Sequence, residues 1–476
     1  MKARLLPCGP AFTAAVAVVV LVLCCLGSVA ALPQHERASA APKAFVPLAD
    51  ARVVIEALRQ VLPGELVGRT PEGLESAWRE WVIQRDAAIR ARVARGDEES
   101  VVHFWHYGTS FTTLPPVTER TSARLGGADT ARILEQRLAD FLTALATPGG
   151  DERLQFARHV VERRGIDLRT SAGRAQVRLY LQELRQRVVA DYDEHRRTLA
   201  SMQHAEPVTA LAAFATMFRD RGLSSDTSVL PAFAIEQALE QVREHGLLAA
   251  GRVRRVAIVG PGLDFVNKDD GYDFYPQQTI QPFAVMDSLI RLGLSNPEEL
   301  VVVTFDVSAR VTQHIEAARA RAGSGYTMHL PLDADERWRP DLVTYWERFG
   351  DQIGSDTQPV AAPPNTGGVR TRAVRIRPAR VRSVVPRDVN IVLERIDPLA
   401  ANERFDLVVA TNILVYYDVF EQQLALVNIG TMLRTGGVLL PNTPVPPVRP
   451  LKMSGRYTTV QYSEGKRDQV FWYERE

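Results

Sequence analysis

A chain of 476 residues is too long for one ordinary domain and long enough for two that each bury a core. With 46% hydrophobic residues, 24% charged residues and a formal net charge of +1, the composition is globular and exerts no overall pull toward nucleic acid or anionic lipid. Lysine stands only at positions 2, 43, 268, 452 and 466, so arginine is the default cation and an arginine cluster says little about an anionic partner.

The first element is an apolar run from Ala11 to Leu32, preceded by Lys2 and Arg4 and carrying Ser28-Val29-Ala30, small residues that a signal peptidase accepts. Residues 1–31 read as a cleaved export signal or, because the run is long enough to span a bilayer, as a signal anchor. Either reading places the chain outside the cytoplasm or on the inner membrane, with membrane contact through this segment. Cys8, Cys24 and Cys25 all lie in the leader, so the rest of the chain has no thiol for a disulfide or a zinc site. Residues 32–47 are rich in Pro and Ala without an apolar period and read as a linker.

From 48 to 250 the pattern is helical. Thr70-Pro71-Glu72 is an N-cap followed by proline in the first turn, and Leu74, Trp78, Trp81, Ile89 and Val93 recur at helical spacing. Asp97 reads as the cap of a next helix that Gly108 ends. Further helices follow Asp129, run from Ser171 to about Leu199, from about Pro207 to Arg219, and from Pro231 to His245. The expectation is an all-α N-terminal domain.

After Gly251 short apolar runs alternate with helices, the signature of βαβ units and a mainly parallel sheet, so the fold class is α/β. Strands are expected at Val256–Val259, Leu300–Phe305, Asn390–Leu393, Phe405–Ala410 and Gly437–Leu440. Helices are expected at Ile280–Leu292, Val307–Ala322 and about Val419–Leu433, with a C-terminal β-hairpin over Tyr457–Tyr462 and Gln469–Tyr473. Residues 323–388 are an insertion, and within it Arg370 to Arg387 carries seven arginines, read as a charged edge strand that resists pairing rather than a nucleic-acid surface.

Three strand tips hold the candidate chemistry. Gly260-Pro261-Gly262-Leu263-Asp264 follows the first strand, where a doubly wound sheet places its ligand crevice and where glycine lets backbone approach a ligand. Phe265 stands where a nicotinamide fingerprint needs a third glycine. Asp306 ends the second strand, and its two carboxylate oxygens match two ribose hydroxyls; capping the next helix is the competing role. Asn412 ends the strand Phe405–Ala410. Tyr416 and Tyr417 offer aromatic faces to a cationic ligand or simply pack, and Asp418 is a base or, more simply, a helix cap. The long loop after Asp264 presents Tyr272 and Tyr275 as stacking surfaces of a lid, or is a solvated loop. His103 and His106 lack a third metal ligand nearby, so no metal site is expected.

The run Phe405-Asp406-Leu407-Val408-Val409-Ala410-Thr411-Asn412, the helix after it and the glycine pair Gly436-Gly437 leading into Val438-Leu439-Leu440 resemble the class I S-adenosylmethionine-dependent methyltransferases. The stretch Asn412-Ile413-Leu414-Val415-Tyr416-Tyr417 looks most like the chemotaxis-receptor carboxyl methyltransferases, which also carry a helical N-terminal domain. The resemblance implies a Rossmann-like methyltransferase domain over 251–476 with S-adenosylmethionine as cofactor. It implies Gly260, Gly262 and Asp264 at the methionine end, Asp306 at the ribose, Asp397 at the adenine edge with Glu394 as the alternative, and Asn412 and Tyr416 beside the transferring methyl group. The methyl acceptor and the oligomeric state are left open. An export leader on a protein with a cytoplasmic cofactor is a conflict, and a degenerate methyltransferase fold that binds another ligand or a protein outside the cytoplasm is the alternative it raises.

Overall fold

The computed structural model describes residues 41–202, 221–265, 272–332, 338–366 and 368–476. The leader, the helix expected over 207–219 and loop residues 266–271 lie outside the described residues. Among the described residues, no helix is long and apolar enough to cross a membrane.

The core is a seven-stranded sheet. In chain order its strands are β2 (Arg255–Val259), β3 (Val301–Asp306), β7 (Val384–Asp388), β9 (Phe405–Ala410), β10 (Leu433–Pro441), β11 (Leu451–Ser463) and β12 (Lys466–Arg475). Across the sheet the order is β11-β12-β10-β9-β2-β3-β7, and β12 alone runs antiparallel to its neighbours. The chain starts in the middle at β2, builds outward through β3 to β7, then returns across β2 to add β9 and β10. That reversal between β2 and β9 is the topological switch point of a doubly wound sheet, where loops diverge and leave a crevice at the strand C-termini.

Period-two alternation assigns the two faces. Val256, Ile258, Val302, Leu407, Val409, Val438 and Leu440 share one core with the helices Leu230–Glu244, Gln281–Arg291 and Ala309–Ala320. Ala257, Val259, Val303, Phe305, Val408 and Leu439 face the other, with the helices Leu48–Ala57 and Val419–Met432 and the first half of the long helix Pro71–Tyr107. Trp81 meets Phe420 edge-on at 5.5 Å in that second core. The helices expected to form one N-terminal domain are thus divided. Among the described residues, those from Val101 to Val188 build a separate helical core, which also takes in Phe265. Residues 43–45, within the stretch read as a linker, form β1, antiparallel to β8 (Glu394–Ile396).

The Pro71–Tyr107 helix begins as the sequence predicts, with Thr70 accepting from Gly73 N at 3.2 Å, and ends at Gly108. It does not restart at Asp97. That carboxylate accepts from Arg163 Nη2 at 2.9 Å, so it serves a tertiary ion pair instead of a cap. The arginine-rich stretch also departs from expectation. β6 (Arg370–Ile376) is the middle strand of a three-stranded antiparallel sheet, between β4 (Tyr326–Leu332) and β5 (Gly354–Thr357). Its arginines reach around the edges to backbone carbonyls: Arg372 to Phe349 O at 2.5 Å, Arg375 to Ser324 O at 2.9 Å.

Arg137 organises the helical bundle. Its fully buried guanidinium donates to the carbonyls of Trp105, Gly108, Leu114 and Pro115, and burial lowers its pKa to about 10. Arg137→Met keeps the bulk and strips four carbonyls of their donor, so urea unfolding is expected to show a loss of about 3–5 kcal/mol. A loss under ~1 kcal/mol contradicts this role.

Candidate functional site

A cavity of about 540 Å³ opens at the C-terminal ends of the central strands, at the switch point. Gly260, Gly262, Asp264, Asp306, Asn412 and Tyr416 all line it. The tips of β2, β3 and β9 therefore converge on one crevice, of the size that small-molecule sites occupy.

Both glycines have positive φ, +63° at Gly260 and +62° at Gly262, and both make room for protein. A Cβ on Gly260 would lie 2.0 Å from Ile413 Cδ1, and one on Gly262 2.9 Å from Ser225 O. The second contact arises because the loop after β2 pairs with a distant segment: Leu263 N donates to Ser225 O at 2.7 Å and Thr227 N to Leu263 O at 3.0 Å. Residues 223–229 thus form a wall of the cavity, one that sequence reasoning did not assign. Only the polar run Ser224-Ser225-Asp226-Thr227-Ser228 hinted at it.

Asp264 is buried, its carboxylate accepting from Tyr275 Oη at 3.0 Å and Gln278 Nε2 at 2.9 Å. Burial pushes its pKa up, and those two hydrogen bonds and nearby Arg153 pull it down. Arg153 Nη1 holds Tyr275 O at 2.6 Å, and Arg153 also donates to the carbonyls of Phe265 and Asp264, tying the loop to the helical bundle. Tyr275 itself is stacked on His329 at 5.7 Å and Tyr272 is buried in the same small cluster. Neither lines the cavity, so neither ring offers it the stacking surface expected of a lid.

Asp306 stands at the tip of β3 and lines the cavity. Its Oδ1 accepts from Ser308 N at 2.8 Å. Burial raises its pKa to about 6, against the opposing pull of the Ser308, Gly262 and Val307 amides and Arg310. The native state binds the extra proton between the unfolded pKa of about 3.9 and about 6, so this group's contribution to stability declines as pH rises through that window. A diol needs the carboxylate as acceptor. Affinity for a ribose-containing ligand is therefore expected to fall below pH ~6, approaching tenfold per pH unit, in titrations from about pH 7.5 to 5. A flat profile contradicts the assignment.

Asn412 has φ +59°, a left-handed conformation that asparagine tolerates, and turns the chain sharply after β9. Its backbone amide donates to Asn442 Oδ1 at 2.7 Å and its Oδ1 accepts from Asn442 Nδ2 at 2.6 Å. Tyr416 lines the cavity and its carbonyl accepts from Arg92 Nη2 at 3.0 Å. The Tyr417 ring is buried beneath the Arg92 guanidinium at 5.7 Å. Asp418 and Glu421 form a reciprocal capping box on the Val419–Met432 helix, so Asp418 is a cap.

Asp397 is not among the cavity residues. It follows β8 and pairs with Arg395 Nη2 at 2.9 Å. Glu394 is paired with Lys43 and Arg90, so the alternative acid is also committed elsewhere. The third sheet strand is Val384–Asp388, not Asn390–Leu393, and the residues just beyond its tip that face the cavity are Val389 and Ile391. They offer a flat apolar ligand two aliphatic surfaces. Asn442, Thr443 and Asp468, beyond β10 and on β12, extend the lining and were not singled out from sequence.

No family model and no curated protein matches this chain. Among solved structures it is similar to the N-methyltransferase NodS from Bradyrhizobium japonicum WM9, at 12% identity over 52% of this chain and 99% of that one, with a TM-score of 0.25. It is similar to MtNAS in complex with MTA and tNA at 10% identity, over 75% and 96% of the two chains, TM-score 0.24. The glycopeptide N-methyltransferase MtfA complexed with S-adenosyl-L-methionine shares 13% identity over 50% and 65%, TM-score 0.20. The doubly wound fold rests on strand order and register in this chain. The likeness to chemotaxis-receptor enzymes stays confined to Asn412–Tyr417.

Proposed function

We propose that the protein is an S-adenosylmethionine-dependent methyltransferase. The observation that carries this reading is the convergence of Gly260, Asp306 and Asn412 on one crevice at the sheet's switch point, with a part-buried acid where a ribose would need it.

The residues present fit the cofactor. Val389 and Ile391 would flank the adenine, Asp306 would accept from the ribose hydroxyls, and the loop Gly260–Asp264 would hold the amino-acid tail. When bound, S-adenosylmethionine supplies an electrophilic methyl group on a sulfonium. The chain's own task is mainly alignment and exclusion of water. Tyr416 faces the cavity near Asn412, where a ring beside a sulfonium contributes about 0.5–2 kcal/mol. Asn412, fixed by Asn442 on both its amide and its side chain, positions the acceptor side of the crevice.

The test is calorimetry of the purified chain with S-adenosylhomocysteine. Saturable binding at one site supports the reading, and absence of heat and of a thermal shift at millimolar ligand overturns it. The leader belongs to the proposal as an export signal or anchor; alkaline phosphatase fused to the C-terminus reports the side, active outside the cytoplasm and inactive within it.

A further inference from the structure

The charge on the cavity wall selects among acceptors. Four carboxylates line it, from Asp226, Asp264, Asp306 and Asp468, and among the described residues no lysine, arginine or histidine does. Three of the four have an arginine nearby, Arg310 for Asp226 and Asp306 and Arg153 for Asp264. Asp226 Oδ1 pairs with Arg310 Nη2 at 3.2 Å, Asp264 accepts from Tyr275 and Gln278, and Asp306 from backbone amides. Asp468 has neutral partners only: Gln469 N at 2.8 Å, Asn442 Nδ2 at 3.2 Å and Tyr462 Oη at 3.4 Å. No cation of the described residues pairs with it.

Asp468 sits on β12, three strands from β2 and about 14 Å away at the usual strand spacing, on the side opposite Val389 and Ile391. Asn442 bridges it to Asn412, its Nδ2 shared between Asp468 Oδ2 and Asn412 Oδ1 at 2.6 Å. Resting on the reading above, we infer that this end of the cavity takes an amine acceptor, whose ammonium group docks on Asp468.

A part-buried carboxylate without a counter-charge gains from an arriving cation, whereas a carboxylate or phosphate acceptor would enter a wall of four acids with no base to meet it. Burial also pushes the Asp468 pKa up, which suits it to take a proton from the docked ammonium. In that step the ammonium proton moves to the Asp468 carboxylate. The freed nitrogen lone pair forms the bond to the methyl carbon while the carbon–sulfur bond breaks and its electron pair stays on sulfur. The products are a methylated ammonium and a neutral thioether.

The experiment titrates n-butylamine, butanoate and n-butanol, near-isosteric probes of different charge, into the full chain saturated with S-adenosylhomocysteine, followed by ligand-observed NMR. Amine binding is expected at least about tenfold tighter than either other probe, and Asp468→Asn is expected to remove that preference. Retained S-adenosylhomocysteine affinity in Asp468→Asn shows that the variant is folded, and the wild-type comparison of the three probes needs no variant. Equal or tighter binding of butanoate or butanol, no amine binding to the loaded protein, or an undiminished preference in a folded Asp468→Asn each overturns the inference. Failure of S-adenosylhomocysteine itself to bind wild type overturns the cofactor reading instead.

Discussion

Asp306→Asn is expected to weaken S-adenosylhomocysteine binding by about 30- to 100-fold while leaving the protein folded. The carboxylate can accept from both ribose hydroxyls, and a hydrogen bond to a charged acceptor contributes about 1.5–3 kcal/mol, whereas the amide turns one acceptor into a donor facing a hydroxyl. Stability should change little, because Asn can still accept from Ser308 N, now 2.8 Å from Oδ1, and removal of a part-buried charge offsets what is lost. Calorimetry at pH 7.5 measures the first effect and thermal unfolding the second. A variant binding within threefold of wild type would show that Asp306 only shapes the loop after β3.

Gly96→Val is expected to impair cofactor binding from outside the cavity. Gly96 lies inside the Pro71–Tyr107 helix against the start of the wall segment: a Cβ there would sit 2.0 Å from Leu223 O and 2.3 Å from Leu223 C. These are backbone atoms, so no rotamer change relieves the clash. The same segment is tied to the helix by Leu223 N to Arg92 O at 3.0 Å and by Gly222 N to Glu99 Oε1 at 3.1 Å. Valine must displace Leu223–Val229, and with it the pairing of Ser225 and Thr227 to Leu263. Overpacking of this kind costs about 1–3 kcal/mol, and a wall displaced from the loop after β2 is expected to lower S-adenosylhomocysteine affinity at least about tenfold. Unchanged unfolding midpoint and affinity would mean that the wall adjusts freely.

The central strands were legible because each is buried on both faces and therefore spells a continuous apolar run. Arg255–Val259 and Phe405–Ala410 are buried throughout. Their C-terminal tips follow from a doubly wound topology, so Gly260, Asp306 and Asn412 are legible in the sequence as neighbours. β7 was not legible. It is the edge strand of the sheet, carries Pro386, Arg387 and Asp388, and sits inside a run of arginines, so it does not look like a buried strand. The apolar Ile391-Val392-Leu393 takes its place in the sequence reading, and the error carries forward to Asp397 and its alternative Glu394, the two acids just downstream. Tyr272 and Tyr275 show a different limit: an aromatic residue in a long loop gives no sign of whether it faces a ligand or packs beneath the loop. The wall segment depends on a helix and a loop more than a hundred residues apart meeting through Gly96, Gly222 and Gly262, a tertiary event with no local signature.

The N-terminal helices do more than precede the α/β core. Leu48–Ala57 and half of Pro71–Tyr107 cover one face of the sheet, and the other half of the same helix enters the bundle built around Arg137. A single rigid helix therefore joins the bundle to the sheet and, through Val93 and Gly96, reaches the cavity wall. Arg153 makes a second link, from the bundle to the loop carrying Asp264. These two contacts tie the helical region to the cavity wall and to the loop after β2.

The most direct measurement is a crystal structure of the full chain grown with S-adenosylhomocysteine. The adenine is expected between Val389 and Ile391, both ribose hydroxyls on the Asp306 carboxylate, and the thioether sulfur beside Asn412. Ligand bound elsewhere, or a crevice that excludes it at saturating concentration, would contradict the claim that these three strand tips form a nucleoside site.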